Sequence, residues 1–341
     1  MQNIGIKEII ERNEYDFLRT DERLKGRLIF LTFGGSHAYG TATEESDVDI
    51  RGCAFNSRSD LIGMSRFEQV VETGTDTTVY SFNKLIGLLC DCNPNTIEML
   101  GCRQEHYLMF SPVGQQMIDN RKMFLSKHAA VSFGGYANQQ LRRLQNALAR
   151  DSYPQAEKER HILGSIKSAM AAFGDRYERF PEGSITLTID KSRHEGLDSE
   201  LFIDVDLKHY PLRDYKNIWA DMNSIVKDYG KLNKRNSKKD DLHLNKHAMH
   251  LVRLYLMCLD ILEKEEINTY RASDLDLLMG IRNGKYQKDD GTFHMEFFDM
   301  VTEYEKRLAY AAANTGLPDK PDMRRVEEFV MAVNEKVVLG E

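Results

Sequence analysis

The segment Ser46-Asp47-Val48-Asp49-Ile50 follows closely on a Gly34-Gly35-Ser36 turn, and few folds can use both features. A strand alternates its side chains, so Asp47 and Asp49 are expected on one face with Cα atoms roughly 6–7 Å apart, while Val48 and Ile50 point into apolar packing. Two aspartates aimed together repel unless positive charge lies between them. A divalent cation is the usual solution, and hard oxygen ligands suit Mg²⁺ or Mn²⁺. Upstream, Leu28-Ile29-Phe30-Leu31-Thr32-Phe33 reads as a buried strand ending at glycines that let backbone approach a ligand closely. Backbone N–H groups at that turn, with the Ser36 hydroxyl, can hold phosphate oxygens. Phosphate cradle and metal carboxylates together point to nucleotide chemistry.

Bulk properties narrow the class. The chain has 341 residues, more than one core ordinarily serves, so two domains are expected. Its composition, 41% hydrophobic and 29% charged, is that of a soluble globular protein. We find no apolar run of membrane-spanning length and no signal-peptide pattern at Met1-Gln2-Asn3-Ile4. Five cysteines without a regular framework read as free thiols in a reducing cytoplasm. The spacing of Cys90, Cys92 and Cys102 with His106 fits no standard zinc finger. His243, His247 and His250 lack the accompanying H-E-x-x-H pattern. A net charge of −7 argues against indiscriminate nucleic-acid binding but leaves room for a local basic surface, at residues 231–239 or at Arg142-Arg143.

Residues 4–20 read as an amphipathic helix. Strands are expected at about 27–33 and from Asp47 through Phe55, with a short helix after Gly35. Residues 68–72 and 77–81 read as a hairpin closed by Thr73-Gly74-Thr75-Asp76. A helix follows from Lys84, and Asn93-Pro94 breaks it and caps the next. Apolar residues then recur at helical spacing over 127–150, 155–180, 213–231, 241–265, 272–283 and 296–313, with Trp219 expected in the core. Alternation at 184–206 marks an inserted β-hairpin. The expected fold is α+β: a mixed α/β domain with a short mixed sheet over residues 1–125, then a mainly α-helical domain over 126–341 carrying the hairpin.

The string Gly35-Ser36-His37-Ala38-Tyr39-Gly40-Thr41 with Ser46-Asp47-Val48-Asp49-Ile50-Arg51-Gly52 resembles the DNA polymerase β-like nucleotidyltransferase superfamily. Within it, the longer pattern looks like the RNA repair pathway DNA polymerase β family, and residues 80–84, 93–100, 246–254 and 281–285 match that branch in order. The resemblance implies a nucleotidyltransferase that moves an NMP from an NTP, ATP included, to an acceptor hydroxyl with release of pyrophosphate. It implies two metal ions, Mg²⁺ or Mn²⁺, held by Asp47, Asp49 and a third acid on a neighbouring strand. Asp76 is the first choice for that acid, with Glu72 and Glu68 as competitors, although an Asx-type turn is the plain alternative for Asp76. The acceptor it implies is an RNA end, tRNA among the candidates.

Candidate nucleotide ligands are Gly35, Ser36, Tyr39, Arg51, Lys84, Lys246, His250 and Arg253. Arg51 shares a face with Asp49 and suits either phosphate or a structural ion pair. Lys84 suits triphosphate or plain solvation, and Tyr39 the pocket or the core. Lys246, His250 and Arg253 fall at i, i+4 and i+7, one helical stripe. Arg282, before Asn283-Gly284, is a further candidate. Two other readings stay open: nucleotidylation of a small molecule or a protein, and a catalytically silent nucleotide sensor.

Overall fold

The computed structural model describes residues 6–152, 185–191, 199–212, 215, 219–220, 223, 241–289 and 291–340. The expected helix 155–180, most of 213–231 and the basic stretch 231–239 lie outside them. The chain forms two compact units: Met1–Arg142 with Asn245–Glu341, and Arg143–Leu244.

The first unit is built on a five-stranded mixed sheet, with β1 (Leu28–Phe33), β2 (Ile50–Ala54), β3 (Gln69–Glu72), β4 (Thr77–Ser81) and β5 (Tyr107–Phe110) in the order β3-β4-β2-β1-β5. β1 lies antiparallel to β2 and β5, and β2 runs parallel to β4 from the pair Ile50–Thr77 to the pair Ala54–Ser81. β3 and β4 form the expected hairpin. Ile29, Phe30 and Leu31 on β1, Ile50 and Cys53 on β2, and Val79 on β4 are fully buried. A continuous apolar run such as β1 reads this way because both of its faces are covered.

Short polar caps set the helices that follow. After α1 (Phe17–Thr20) and α2 (Gly35–Tyr39) comes α3 (Arg58–Ile62), where Ser57 and Asp60 cap reciprocally. The Ser81 and Asn93 side chains cap α4 (Phe82–Cys90) and α5 (Pro94–Ile97), and Ser111 caps α6 (Pro112–Asp119). Pro94 and Pro112 open their helices, where a missing N–H costs nothing.

The C-terminal region is helical: α7 (His128–Ser152), α8 (Asp241–Lys264), α9 (Leu275–Arg282), α10 (Met295–Asn314) and α11 (Met323–Leu339). Residues 251–262 of α8 are all buried, which makes it the central helix of its unit. Only Arg253 and Asp260 are charged in that run, and they pair with Glu98 and Arg271. The hairpin of the second unit, β6 (Ile185–Lys191) against β7 (Ser199–Val205), is antiparallel as its alternation implied.

Three local expectations need correction. The N-terminal segment is not one helix: 3₁₀ turns at Ile6–Glu11 and Asn13–Tyr15 precede α1. Its anchors, Tyr15 and Leu18 with Ile9, Ile10 and Phe17 against them, are set by the sheet core rather than by a straight helical stripe. Asp47 and Asp49 precede β2 instead of lying within it, because the ladder begins at Ile50. Trp219 is 59% exposed, a reminder that residue type is a one-way guide to burial. α11 was not anticipated from the sequence.

Candidate active site

The site grows from the junction of β1, β2 and β4. β1 ends at Phe33, and the Gly34 N–H donates to the Asp49 carbonyl at 2.9 Å, tying the turn to the approach of β2. Gly35 has φ of +52°, and a Cβ there would stand 1.7 Å from Asp49 Oδ2. Only glycine lets the carboxyl lie flat on that backbone. At the far end of α2, Gly40 has φ of +82°, and its missing Cβ makes room for the Tyr270 ring.

From Gly40 the chain loops to the acids. Within the loop, Thr43 N–H donates to Ser46 Oγ at 2.9 Å. Arg282, from the end of α9, donates to the Thr41 carbonyl and reaches Thr43 Oγ1 and Ser46 Oγ at 3.4 Å each. Asp47 is exposed, Val48 packs against the sheet core, Asp49 is part-buried and Ile50 fully buried, so burial deepens steadily towards the ladder instead of alternating as the sequence suggested.

Asp76 comes to the same place by a different route. The Ile50 N–H donates to the Asp76 carbonyl at 3.2 Å, so the two strands start side by side. Asp76 sits in the left-handed region with φ of +41°, a conformation aspartate tolerates better than most residues. Asp49 and Asp76 share a hydrogen bond. Burial, then the hydrogen bond and charge of Asp76, push Asp49 up to about 7, with Arg51 opposing. The same hydrogen bond from Asp49 pulls Asp76 below the usual carboxylate range. The two carboxyls therefore titrate as a pair, with Asp49 the member that burial and its neighbour push up. Arg51 braces them, with Nη2 3.1 Å from Asp76 Oδ1 and 3.6 Å from Asp49 Oδ1.

Two carboxyls held this close, one of them pushed up by burial and by its neighbour, offer hard oxygen donors whose mutual repulsion a divalent ion would relieve. On that chemistry, Asp49 and Asp76 fit Mg²⁺ or Mn²⁺. Among the described residues, no three His, Cys, Asp or Glu side chains gather as a metal-holding group, since Asp47 faces solvent instead of closing on the pair. The rival third acids lie elsewhere: Glu72 Oε1 accepts from the Gly74 N–H, and Glu68 stands 3.7 Å from Lys84.

Other expected ligands are dispersed. Lys84 follows β4 at its C-terminal end, whereas Asp76 precedes the N-terminal end, so the two lie at opposite ends of the strand. Tyr39 and Arg253 are buried in a strut rather than turned to a cleft. Tyr39 donates to Glu98 Oε1 at 2.7 Å, Arg253 Nη1 donates to Glu98 Oε2 at 2.9 Å, and the guanidinium lies 3.7 Å from the Tyr39 ring centroid. His250 meets the same ring edge-on, and burial followed by the Arg253 charge pushes its imidazole down to about 3. It is neutral at ordinary pH and supplies no cation. Lys246 is exposed, so the i, i+4, i+7 stripe enters the core as it climbs α8. Gly35 and Ser36 remain at the acids, in the first turn of α2. Glu98 was missed: its partners Tyr39 and Arg253 are remote in sequence, and only the 93–100 string drew attention to it.

Comparison with known proteins bears out the family resemblance. Residues 8–166, a little under half the chain, match the model of the RNA repair pathway DNA polymerase beta family, a polymerase β-like nucleotidyltransferase group. That stretch contains Gly35, Ser36, Asp47, Asp49 and Asp76. A protein of Enterobacteria phage T4, described as an uncharacterized 38.9 kDa protein of the nrdC-mobD intergenic region, is 22% identical over 90% of this chain and 97% of its own length. No solved structure matches the chain.

Proposed function

We propose that the protein transfers an NMP from an NTP to an acceptor hydroxyl and releases pyrophosphate, with Asp47, Asp49 and Asp76 as the catalytic acids. The observation that carries this reading is the seating of the Asp49 carboxyl on Gly35, in hydrogen-bond contact with Asp76. Two bound Mg²⁺ or Mn²⁺ ions would neutralise charge on the phosphates and lower the pKa of the attacking hydroxyl. Gly35 and Ser36 at the start of α2 hold triphosphate oxygens. One of the site's carboxylates receives the hydroxyl proton as the acceptor oxygen bonds to the α-phosphorus. The bond from that phosphorus to the bridging oxygen breaks, and pyrophosphate carries the electron pair away. Arg51 keeps the two carboxyls in place.

This chemistry is assigned to residues 1–125, with helices from the chain beyond them in support, in the cytoplasm. The acceptor we favour is an RNA end, on the strength of the family's RNA repair description. No helix among the described residues is long and apolar enough to cross a membrane. The test is labelled ATP, CTP, GTP and UTP incubated with Mg²⁺ and, in turn, tRNA, bulk protein or aminoglycosides. Label transfer to RNA is expected. Asp49→Asn and Asp76→Asn should each lose transfer by several kcal/mol of barrier, at least a hundredfold in rate, with circular dichroism unchanged. Near-parental pyrophosphate release in either variant would place the site elsewhere.

A further inference from the structure

At the other end of β2 the chain builds a concave site. A cavity of about 390 Å³ lies against Phe55, just beyond the strand, with Val113 from the first turn of α6 and Val337 from the last turns of α11. Its size falls in the range of small-molecule sites. Around it stand Arg27, Arg58 and Lys336. Among the described residues, none of these three side chains makes an ion pair or a hydrogen bond. The nearby acid, Asp60, accepts from the Ser57 N–H and hydroxyl and from the Ser65 hydroxyl, and its carboxylate also feels the charge of Arg27.

Helix electrostatics accounts for one of the three cations and not for the others. Lys336 lies in the last turn of α11, where a positive charge is favoured. Arg58 opens α3, where the helix dipole disfavours a cation, and Arg27 sits in the turn leading into β1. Three cations without a salt bridge around a concave wall focus positive potential into it, only Arg27 being partly offset by Asp60, and they do so on a chain of net charge −7. Cationic rim and apolar wall match a ligand with a phosphate at one end and a flat or apolar body at the other.

We propose that this cavity binds a phosphorylated ligand of about mononucleotide size, its phosphate held by Arg27, Arg58 and Lys336 and its body packed on Phe55, Val113 and Val337. From Asp49 to Phe55 the chain runs six residues in extended form, on the order of 20 Å, so a nucleotide on the acids does not fill this site. The same chemistry comes from a free nucleotide or from the terminal nucleotide of a strand, and the test separates them.

The full-length protein and its Asp49→Asn variant are titrated by calorimetry with AMP, with inorganic phosphate and with a 5′-phosphorylated tetraribonucleotide, without divalent metal. Saturable binding of equal strength to both proteins is expected, and Arg58→Ala with Lys336→Ala should weaken it about tenfold or more at an unchanged urea midpoint. Both side chains are exposed, so their removal leaves the core intact. AMP binding at least as tight as the oligomer assigns the site to free nucleotide, and tighter oligomer binding assigns it to a strand end. No saturable binding up to millimolar probe, or binding that the double variant leaves untouched, overturns the site. Binding lost on Asp49→Asn alone overturns it too, because the ligand would then sit at the acids. Transfer activity is scored separately, so failure here does not bear on the acids.

Discussion

Replacing Arg253 decides whether it supports the fold or binds substrate. Its side chain and that of Glu98 are 6% and 9% exposed, and their contact is 2.9 Å. Arg253→Met removes the guanidinium and keeps the volume, leaving the Glu98 carboxylate buried without its charge partner. Breaking a buried pair from one side costs about 3–5 kcal/mol. The Tyr39 hydroxyl still donates to Glu98, which should hold the loss near the lower end, about 3 kcal/mol. Adding Glu98→Leu removes the stranded charge and leaves only the Tyr39 hydroxyl in need of an acceptor, a cost of about 1–3 kcal/mol. The double variant should therefore be no less stable than Arg253→Met, far from the sum of the two singles. Urea unfolding followed by far-ultraviolet circular dichroism measures this, with an unchanged slope showing that the denatured state is the same. The reasoning is refuted if Arg253→Met stays within about 0.5 kcal/mol of the parent and instead raises the KM for NTP, the signature of a substrate ligand.

Two further outcomes test the geometry. Gly35→Ala places a methyl 1.7 Å from Asp49 Oδ2, so the carboxyl must leave Asp76. Transfer should fall at least tenfold while the chain loses about 1–2 kcal/mol for the positive φ, and unchanged activity would show that the seating of Asp49 is irrelevant. Burial raises Asp260, but hydrogen bonds from Lys264 and Arg271 outweigh it and hold the carboxyl below its ordinary range. A depressed carboxyl contributes stability that is present above its unfolded pKa and lost as pH falls through the folded one. Urea midpoints taken from about pH 6 down to about pH 2.5 should fall in the parent, while Asp260→Asn starts lower and falls less steeply; parallel curves would remove Asp260 from the acid response.

Local chemistry made much of this protein readable from its residues. The apolar run of β1, the glycine turn after it, the polar hairpin signal at 73–76 and the capping Asn93 each dictate backbone conformation within a few positions, and the structure follows them. The pairing of Gly35 with the Asp47–Asp49 segment was legible for the same reason: a close backbone approach needs glycine.

What sequence could not decide is which distant groups meet. Whether Asp76, Glu72 or Glu68 joins Asp49 depends on the parallel register of β2 and β4, which sets Ile50 beside Thr77 and so brings Asp76 to the acid pair. The stripe of Lys246, His250 and Arg253 is real as helical spacing. Burial of α8 against Glu98 and Tyr39 turns its upper part into a core strut, because a helix apolar on all sides must be enclosed. Local propensities act over a few residues, whereas register and burial are properties of the assembled chain, and they decide which of these side chains lie side by side.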